Sequence, residues 1–253
     1  MLCGYGRGYI MDVAVLRPTK GPSRGSVVHT SGVHGVEGYG GSGIQCYLLG
    51  QIRQAKEEGR LQNIDKTLVF VHAVNLYGMA HYRRVNEENV DLNRNALESH
   101  EFDYLINKRD PNVAGYGTSH IKRAVILDGL KIFEGDATFI DIHTGLGPSG
   151  EDTLITTDSD AFNFFSTLVK SRSQSDVPPV ECAGARCSGI IKGRGQPGFG
   201  ADVVSGYDLV QGDSCSFWTR RRTKGTRVSC VAQEFGTYST IWGLPTMIME
   251  NMA

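Results

Sequence analysis

Short apolar runs alternate with longer amphipathic stretches along this chain, and the periods of the two kinds predict strands and helices in turn. Residues 9–16 are rich in strand-forming side chains and close on Thr19-Lys20-Gly21-Pro22, a strong turn signal. Residues 26–31 read as a short buried strand. From Ser42 the apolar positions shift to Ile44, Tyr47, Leu48, Ile52 and Ala55, a helical spacing that stops at Gly59. Residues 67–74 form a near-continuous apolar run, as expected of a strand covered on both faces. Helical spacing returns over 119–130 through Ile121, Val125 and Ile126. Residues 138–142 predict another buried strand that ends at His143. A helix follows over 161–170, with Phe162, Phe165, Leu168 and Val169 on its apolar side. Residues 171–200, rich in Ser, Pro and Gly, read mainly as irregular structure. Residues 227–232 give the last clear strand, followed by Gln233-Glu234-Phe235-Gly236.

Strands alternating with helices predict an α/β sheet with helices on both faces. Ligands gather at the carboxyl ends of the strands in such sheets. His34 with Glu37, Asn75, His143 and Glu234 all fall just after predicted strands, and this coincidence weighs more than any one motif. There is no internal repeat and no interior linker, so residues 1–253 are expected to form a single domain.

Composition narrows the class only a little. Hydrophobic residues make up 40% and charged residues 21% of the 253, an ordinary globular mixture. The formal net charge of −1 gives no reason to expect nucleic acid or an anionic membrane as partner. The basic cluster Arg220-Arg221-Arg222 with Lys224 and Arg227 reads as a solvated loop. No stretch has the length of a membrane span, and the first residues lack the features of a secretory signal, so a cytoplasmic protein is expected. The six cysteines are too sparse for a disulfide scaffold and lack paired C-x-x-C spacing. Reduced thiols are therefore expected, with a Cys182–Cys187 bridge as the alternative in a secreted chain.

The candidate chemistry begins at His34-Gly35-Val36-Glu37, set among glycines at the end of a predicted strand. A histidine and a carboxylate three residues apart can point at one divalent ion. Catalytic zinc typically has three protein ligands and an open position, so a third ligand is needed. His143, in Asp141-Ile142-His143-Thr144-Gly145, is the best candidate. Asp141 shares its strand face and could support the histidine or act as a neighbouring carboxylate. Each residue also has a plainer reading: His34 and Glu37 could cap the following helix, and His143 could be a satisfied histidine at a strand end. His29, His72, His81, His100 and His120 lack a partnered carboxylate at strand-end spacing.

The segment from Arg83 to Asn95 changes the balance. Fixed guanidinium and amide donors are what an anionic substrate needs, because arginine matches a carboxylate with two parallel hydrogen bonds. Asp91-Leu92-Asn93-Arg94-Asn95 resembles the D-L-N-R-N signature of zinc carboxypeptidases of the carboxypeptidase A type. His34-x-x-Glu37 resembles their first metal motif, and Asp141-x-His143 their third-ligand strand. The wording from Gly32 to Gly38 and from Asp141 to Pro148 is closer still to a carboxypeptidase-like branch of that superfamily. The likeness extends from about Tyr9 to Thr237.

This resemblance implies a mixed, mostly parallel central sheet with helices on both faces. It implies one zinc ion bound by His34, Glu37 and His143. Arg84 matches the arginine that polarises the scissile carbonyl, with its neighbour Arg83 as the alternative. Asn93 and Arg94 match the pair that holds a free carboxylate, and Glu234 matches the general base. Tyr207 takes the place of the substrate-capping tyrosine or else is structural. The family domain carries a further element before Tyr9 and continues past the general-base strand, so the chain is expected to be truncated at both ends relative to it.

The activity implied is hydrolysis of an amide next to a free carboxylate, by zinc-activated water with a glutamate base. The substrate would be a peptide C-terminus or an N-acyl amino acid. A deacylase resembling aspartoacylase or succinylglutamate desuccinylase is one alternative, and a non-catalytic zinc-binding relative is another. Retention of Glu234 and Arg84 favours catalysis over binding alone. A serine esterase is disfavoured, since Ser31, Ser42 and Ser149 do not sit in a G-x-S-x-G elbow.

Overall fold

The computed structural model describes residues 2–4, 8–96, 127–146, 152–156, 158, 160–165, 167, 187–192 and 212–238. Among these, eight strands form one mixed sheet: β1 (Leu2–Gly4), β2 (Ile10–Leu16), β3 (Ser26–Ser31), β4 (Thr67–Val71), β5 (Ala137–Leu146), β6 (Asp152–Thr156), β7 (Cys187–Lys192) and β8 (Val228–Tyr238). Their order across the sheet is β1-β2-β4-β3-β5-β8-β6-β7. The central strands β4, β3, β5 and β8 run parallel, while β1, β2 and β6 pair antiparallel with their inner neighbours. This is the expected mixed sheet with a parallel centre.

The parallel register explains why the polar candidates meet. Thr30 of β3 lies opposite Asp141 of β5. His143 of β5 in turn lies opposite Glu234 of β8. Paired positions share a sheet face, so Thr30, Asp141, His143 and Glu234 come to one face at the carboxyl ends of three adjacent strands. Both β5 and β8 run further than the apolar runs predict, and pairing continues to Leu146 and Tyr238. His143 and Glu234 therefore sit within strands instead of just after them. Polar side chains hid this extension, because one face of each strand end turns into the site.

Helices cover both faces. The long helix α1 (Gly38–Glu57) lies on one, where Gly41 comes within contact of Ser31 and Ile142. It begins before the predicted start at Ser42, since its first turn is glycine-rich and carries little periodicity. The helical residues 160–165 lie on the same face, with Ala161 and Phe165 buried against Val231. A second short helix, α2 (Leu76–Ala80), interrupts the polar segment after β4. On the opposite face, α3 (Ser214–Arg220) stacks Trp218 on Phe139, with centroids 5.1 Å apart and planes at 3°. Seven residues cannot hold a helix alone. Asp213 caps α3 by accepting from Ser216 N at 2.8 Å, and buried Trp218 and Phe217 anchor it.

Cys215 of α3 and Cys230 of β8 form a disulfide. This corrects the expectation of reduced thiols: the cysteines are distant in spacing but brought together by the packing of α3 on β8. Cys182 lies outside the described residues. The strand Cys187–Lys192 falls inside 171–200, whose other residues lie outside those described. No described helix is long and apolar enough to cross a membrane.

On the α1 face, Gln45 is buried and donates through Nε2 towards His29 Nδ1 (3.0 Å) and the backbone oxygens of His29 and Val71. Burial pushes the His29 imidazole down to about 4, against the raising pull of Asp141. The unfolded chain, titrating near 6.5, therefore binds more protons between these values, and stability falls as pH drops through that window. We predict that His29 alone costs the fold about 2 kcal/mol between pH 7 and 4.5. Urea unfolding at both pH values should show the His29→Phe variant spared this loss; an equal loss in both proteins would refute the assignment.

Candidate functional site

The chain turns sharply after β3. Gly32 adopts φ +66°, a left-handed conformation that glycine takes without steric cost. His34 then leads into one turn of 3₁₀ helix, Gly35–Glu37, which runs directly into α1. Neither His34 nor Glu37 makes a side-chain capping bond at these helix starts, so the capping reading fails and both side chains remain available. Gly35 packs directly on α2: a Cβ placed there would come within 2.2–2.3 Å of the Gly78 backbone and Met79 N. This contact lets Gly35 N and Val36 N donate to the backbone oxygens of Arg84 (3.2 Å) and Arg83 (3.0 Å). Asn75 caps α2 by accepting from Gly78 N and donates through Nδ2 to Arg84 O at 3.1 Å. The turn that carries His34 and Glu37 and the Arg84 segment are thus fixed to each other through backbone.

His34, Glu37 and His143 each offer a ligand atom, all within 4.8 Å of one another. His34 Nδ1 lies 2.9 Å from Glu37 Oε1, and His143 Nδ1 lies 3.3 Å from Glu37 Oε2. Thr144 N donates to the same Oε2 at 3.1 Å. Behind each imidazole stands a second carboxylate. Asp91 Oδ1 is 3.1 Å from His34 Nε2, and Asp141 Oδ2 is 3.4 Å from His143 Nε2. Asp141 is itself held by Thr30, whose hydroxyl donates to Oδ1 at 2.5 Å. Sequence reading left Asp91 without a role; only its place in the D-L-N-R-N motif marked it.

These contacts define the protonation of the cluster. An ionised carboxylate only accepts, so each ring nitrogen facing one carries a proton. Burial alone would lower the His34 pKa, yet Glu37 and Asp91 outweigh it and raise the group. His143 behaves likewise: burial opposes protonation, while Asp141 and Glu37 hold the ring well above the usual histidine range. Burial also works against an ionised Glu37, but the two imidazoles keep its carboxyl far below the ordinary value. Exchanging the two Nδ1 protons for one dication would preserve the charge of the cluster and leave two lone pairs and a carboxylate converging. The donor set, two imidazoles each with a second carboxylate behind it and a Glu37 carboxylate bonded by Thr144 N and Arg84, fits zinc.

Arg84 closes the cluster from one side. Its Nε donates to Asp91 Oδ2 at 3.0 Å and its Nη1 to Glu37 Oε1 at 3.2 Å. Nη2 lies 2.8 Å from His34 Nε2, where two donors meet once that nitrogen carries the proton it shares with Asp91. Arg83 turns away and donates to Asn89 Oδ1, so of the two arginines Arg84 is the one brought to the cluster. Glu234 reaches the same face from β8, its Oε2 close to Gly145. Burial raises its pKa above the ordinary carboxylate range, against the lowering pull of His143. Asn93 Oδ1 accepts from Ser214 N at 2.9 Å, tying this segment to the start of α3. Arg94 is exposed, with Nη1 donating to Asn93 O. Tyr207 lies outside the described residues.

Comparison with known proteins agrees with this architecture. Residues 4–120 match the model of a family described as "Protein of unknown function (DUF2817)". No curated protein matches the sequence. Among solved structures, carboxypeptidase A from Helicoverpa armigera superposes with a TM-score of 0.59 at 13% identity, over 93% of this chain and 58% of that one. A metallo-carboxypeptidase from Pseudomonas aeruginosa, in complex with (2-guanidinoethylmercapto)succinic acid, gives 0.53 at 13% identity, over 94% and 54%. The succinylglutamate desuccinylase from Chromobacterium violaceum gives 0.50 at 17% identity, over 94% and 61%. The fold is therefore that of the zinc carboxypeptidases. The chain spans little more than half the length of the two carboxypeptidases it matches.

Two variants test how the cluster is held. Gly35→Ala forces a methyl group into backbone atoms that cannot swing aside, so we expect a loss of about 2 kcal/mol or more in stability and loss of zinc uptake. Calorimetry and metal analysis would check both, and an unchanged melting temperature would exclude the close approach. Asp91→Asn keeps the shape but removes the charge behind His34; zinc affinity is expected to fall about 10–100-fold, measured by competition with a chromogenic chelator.

Proposed function

We propose that the protein is a zinc-dependent hydrolase that cleaves an amide bond adjacent to a free carboxylate. The observation that carries this reading is the convergence of His34, Glu37 and His143 on one point, with Arg84 and Glu234 at its edge. Zinc held by these three residues would supply a Lewis acid that polarises a carbonyl and acidifies water.

The remaining work falls to the chain's own groups. Glu234 accepts a proton from the attacking water and later gives it to the leaving nitrogen, as base and then acid. Its buried setting favours that exchange, because a raised pKa brings the carboxyl nearer to neutral pH. Arg84 turns its guanidinium towards the charge that develops on the carbonyl oxygen. Asn93 and Arg94 take the substrate's carboxylate: Arg94 through its exposed guanidinium, and Asn93 through Nδ2, since its Oδ1 is engaged with Ser214. Tyr207 is retained in the proposal as a substrate-capping residue. A peptide C-terminus and an N-acyl amino acid both present the required amide and carboxylate. The likeness to a succinylglutamate desuccinylase supports the second substrate class alongside the first.

The decisive experiment separates metal binding from chemistry. Glu234→Gln should retain zinc and lose hydrolysis of a panel of dipeptides and N-acyl amino acids, whereas His143→Ala should lose both. Arg84→Ala should cost about 3 kcal/mol of transition-state stabilisation, roughly a hundredfold in rate. Hydrolysis by the Glu234→Gln protein at the wild-type rate would defeat the assignment. Bound zinc without turnover in the wild type would point instead to a binding module.

A further inference from the structure

Two tyrosines stand two residues along the chain from site residues and take no part in the cluster. Tyr39 follows Glu37 by two residues and Tyr82 precedes Arg84 by two. Their rings stack, with centroids 5.6 Å apart and planes at 13°. Both are open to solvent, Tyr39 by 47% and Tyr82 by 70%. Stacking between rings this exposed removes little apolar surface from water, so it adds little to the fold.

The pair is nevertheless held firmly. The Tyr39 hydroxyl donates to Met79 O at 2.9 Å, locking the ring against the end of α2. Tyr82 sits at φ +55°, a left-handed conformation that is costly for a residue with a bulky side chain. Arg83 N, the next donor along the chain, bonds Gly78 O at 2.8 Å and helps fix that turn. A strained backbone that presents an exposed aromatic face beside a candidate active site has a functional explanation more readily than a structural one.

We propose that Tyr39 and Tyr82 form a platform for a flat apolar group, such as an aromatic side chain, on the acyl side of the scissile amide. This rests on the hydrolase reading above. Arg84 forks between Asp91 and Glu37. From Asp91 the chain leads on to Asn93 and Arg94, which take the carboxylate of the leaving portion. From Glu37 it leads the other way, to Tyr39 and its partner Tyr82. On this reading the carbonyl sits at Arg84, the carboxylate on its Asp91 side and the platform on its Glu37 side. The substrate class is thereby narrowed to molecules with an aromatic group at the residue or acyl group before the cut bond.

The test compares acetyl-Phe-Ala with acetyl-Ala-Ala binding to the zinc-loaded Glu234→Gln protein by calorimetry, so that no turnover is needed. Ring stacking should make the phenylalanine peptide bind about fivefold tighter. Adding Tyr82→Gly should bring that ratio close to one, while Tyr82→Phe should keep it. Glycine adopts the left-handed conformation freely, so Tyr82→Gly should also raise the melting temperature, and misfolding cannot account for the loss. A ratio near one in the parent protein, or a ratio that survives Tyr82→Gly, overturns the platform. A clear ratio together with a wild-type protein that hydrolyses nothing would sustain the platform and sink the hydrolase. If neither peptide binds, both fall.

Discussion

The site depends on keeping one buried carboxylate ionised. Glu37 is nine-tenths shielded from water, a setting that by itself favours the neutral acid. Its two oxygens are instead divided between two imidazoles, a backbone amide of β5 and the guanidinium of Arg84. These four partners come from three separate parts of the chain. The carboxylate therefore joins the turn after β3, the end of β5 and the Arg84 segment in one electrostatic knot. Removing any single partner leaves the others facing an uncompensated buried charge.

The sheet brings those parts together before any of the polar contacts form. Parallel pairing sets Thr30 beside Asp141 and His143 beside Glu234, and the aliphatic core beneath them has no tolerance for a shifted register, since a one-residue slip would reverse the faces of a whole strand. The opposite flank is organised by α3. It receives the Asn93 segment through Ser214 N and Arg220, which donates to Ala96 O. It is joined to β8 by the Cys215–Cys230 disulfide. The residues proposed to hold a carboxylate and the residue proposed to move a proton are thus mounted on one support.

Much of this was legible in the sequence where a local rule governs. β3 was read to its exact ends because its apolar run is short, buried and bounded by turn signals. The grouping of His34, Glu37 and His143 was also legible, since all three fall near predicted strand ends and the structure brings their side chains together. Legibility failed where the signal is tertiary. β6 has no distinctive period and owes its place to pairing with β8. The ends of β5 and β8 look like loop because their side chains face a polar site. Asp91 looks like any acidic residue of a polar segment until the fold sets it behind His34, and Cys215 and Cys230 meet only through the packing of α3.

The contact between Gly35 and Gly78 has one more consequence. Backbone lies against backbone at both positions, and a Cβ on Gly78 would meet the oxygens of Arg83 and Val85 and the amide of Asn75 within 2.6–2.8 Å. Neither position can admit any side chain while the turn that carries His34 and Glu37 stays against the Arg84 segment. A genome searched only for His-x-x-Glu returns mostly chance matches. Requiring glycine directly after the histidine, and a second glycine three residues past an asparagine ahead of the arginine, turns a steric fact into a sieve for chains that build their site in the same way.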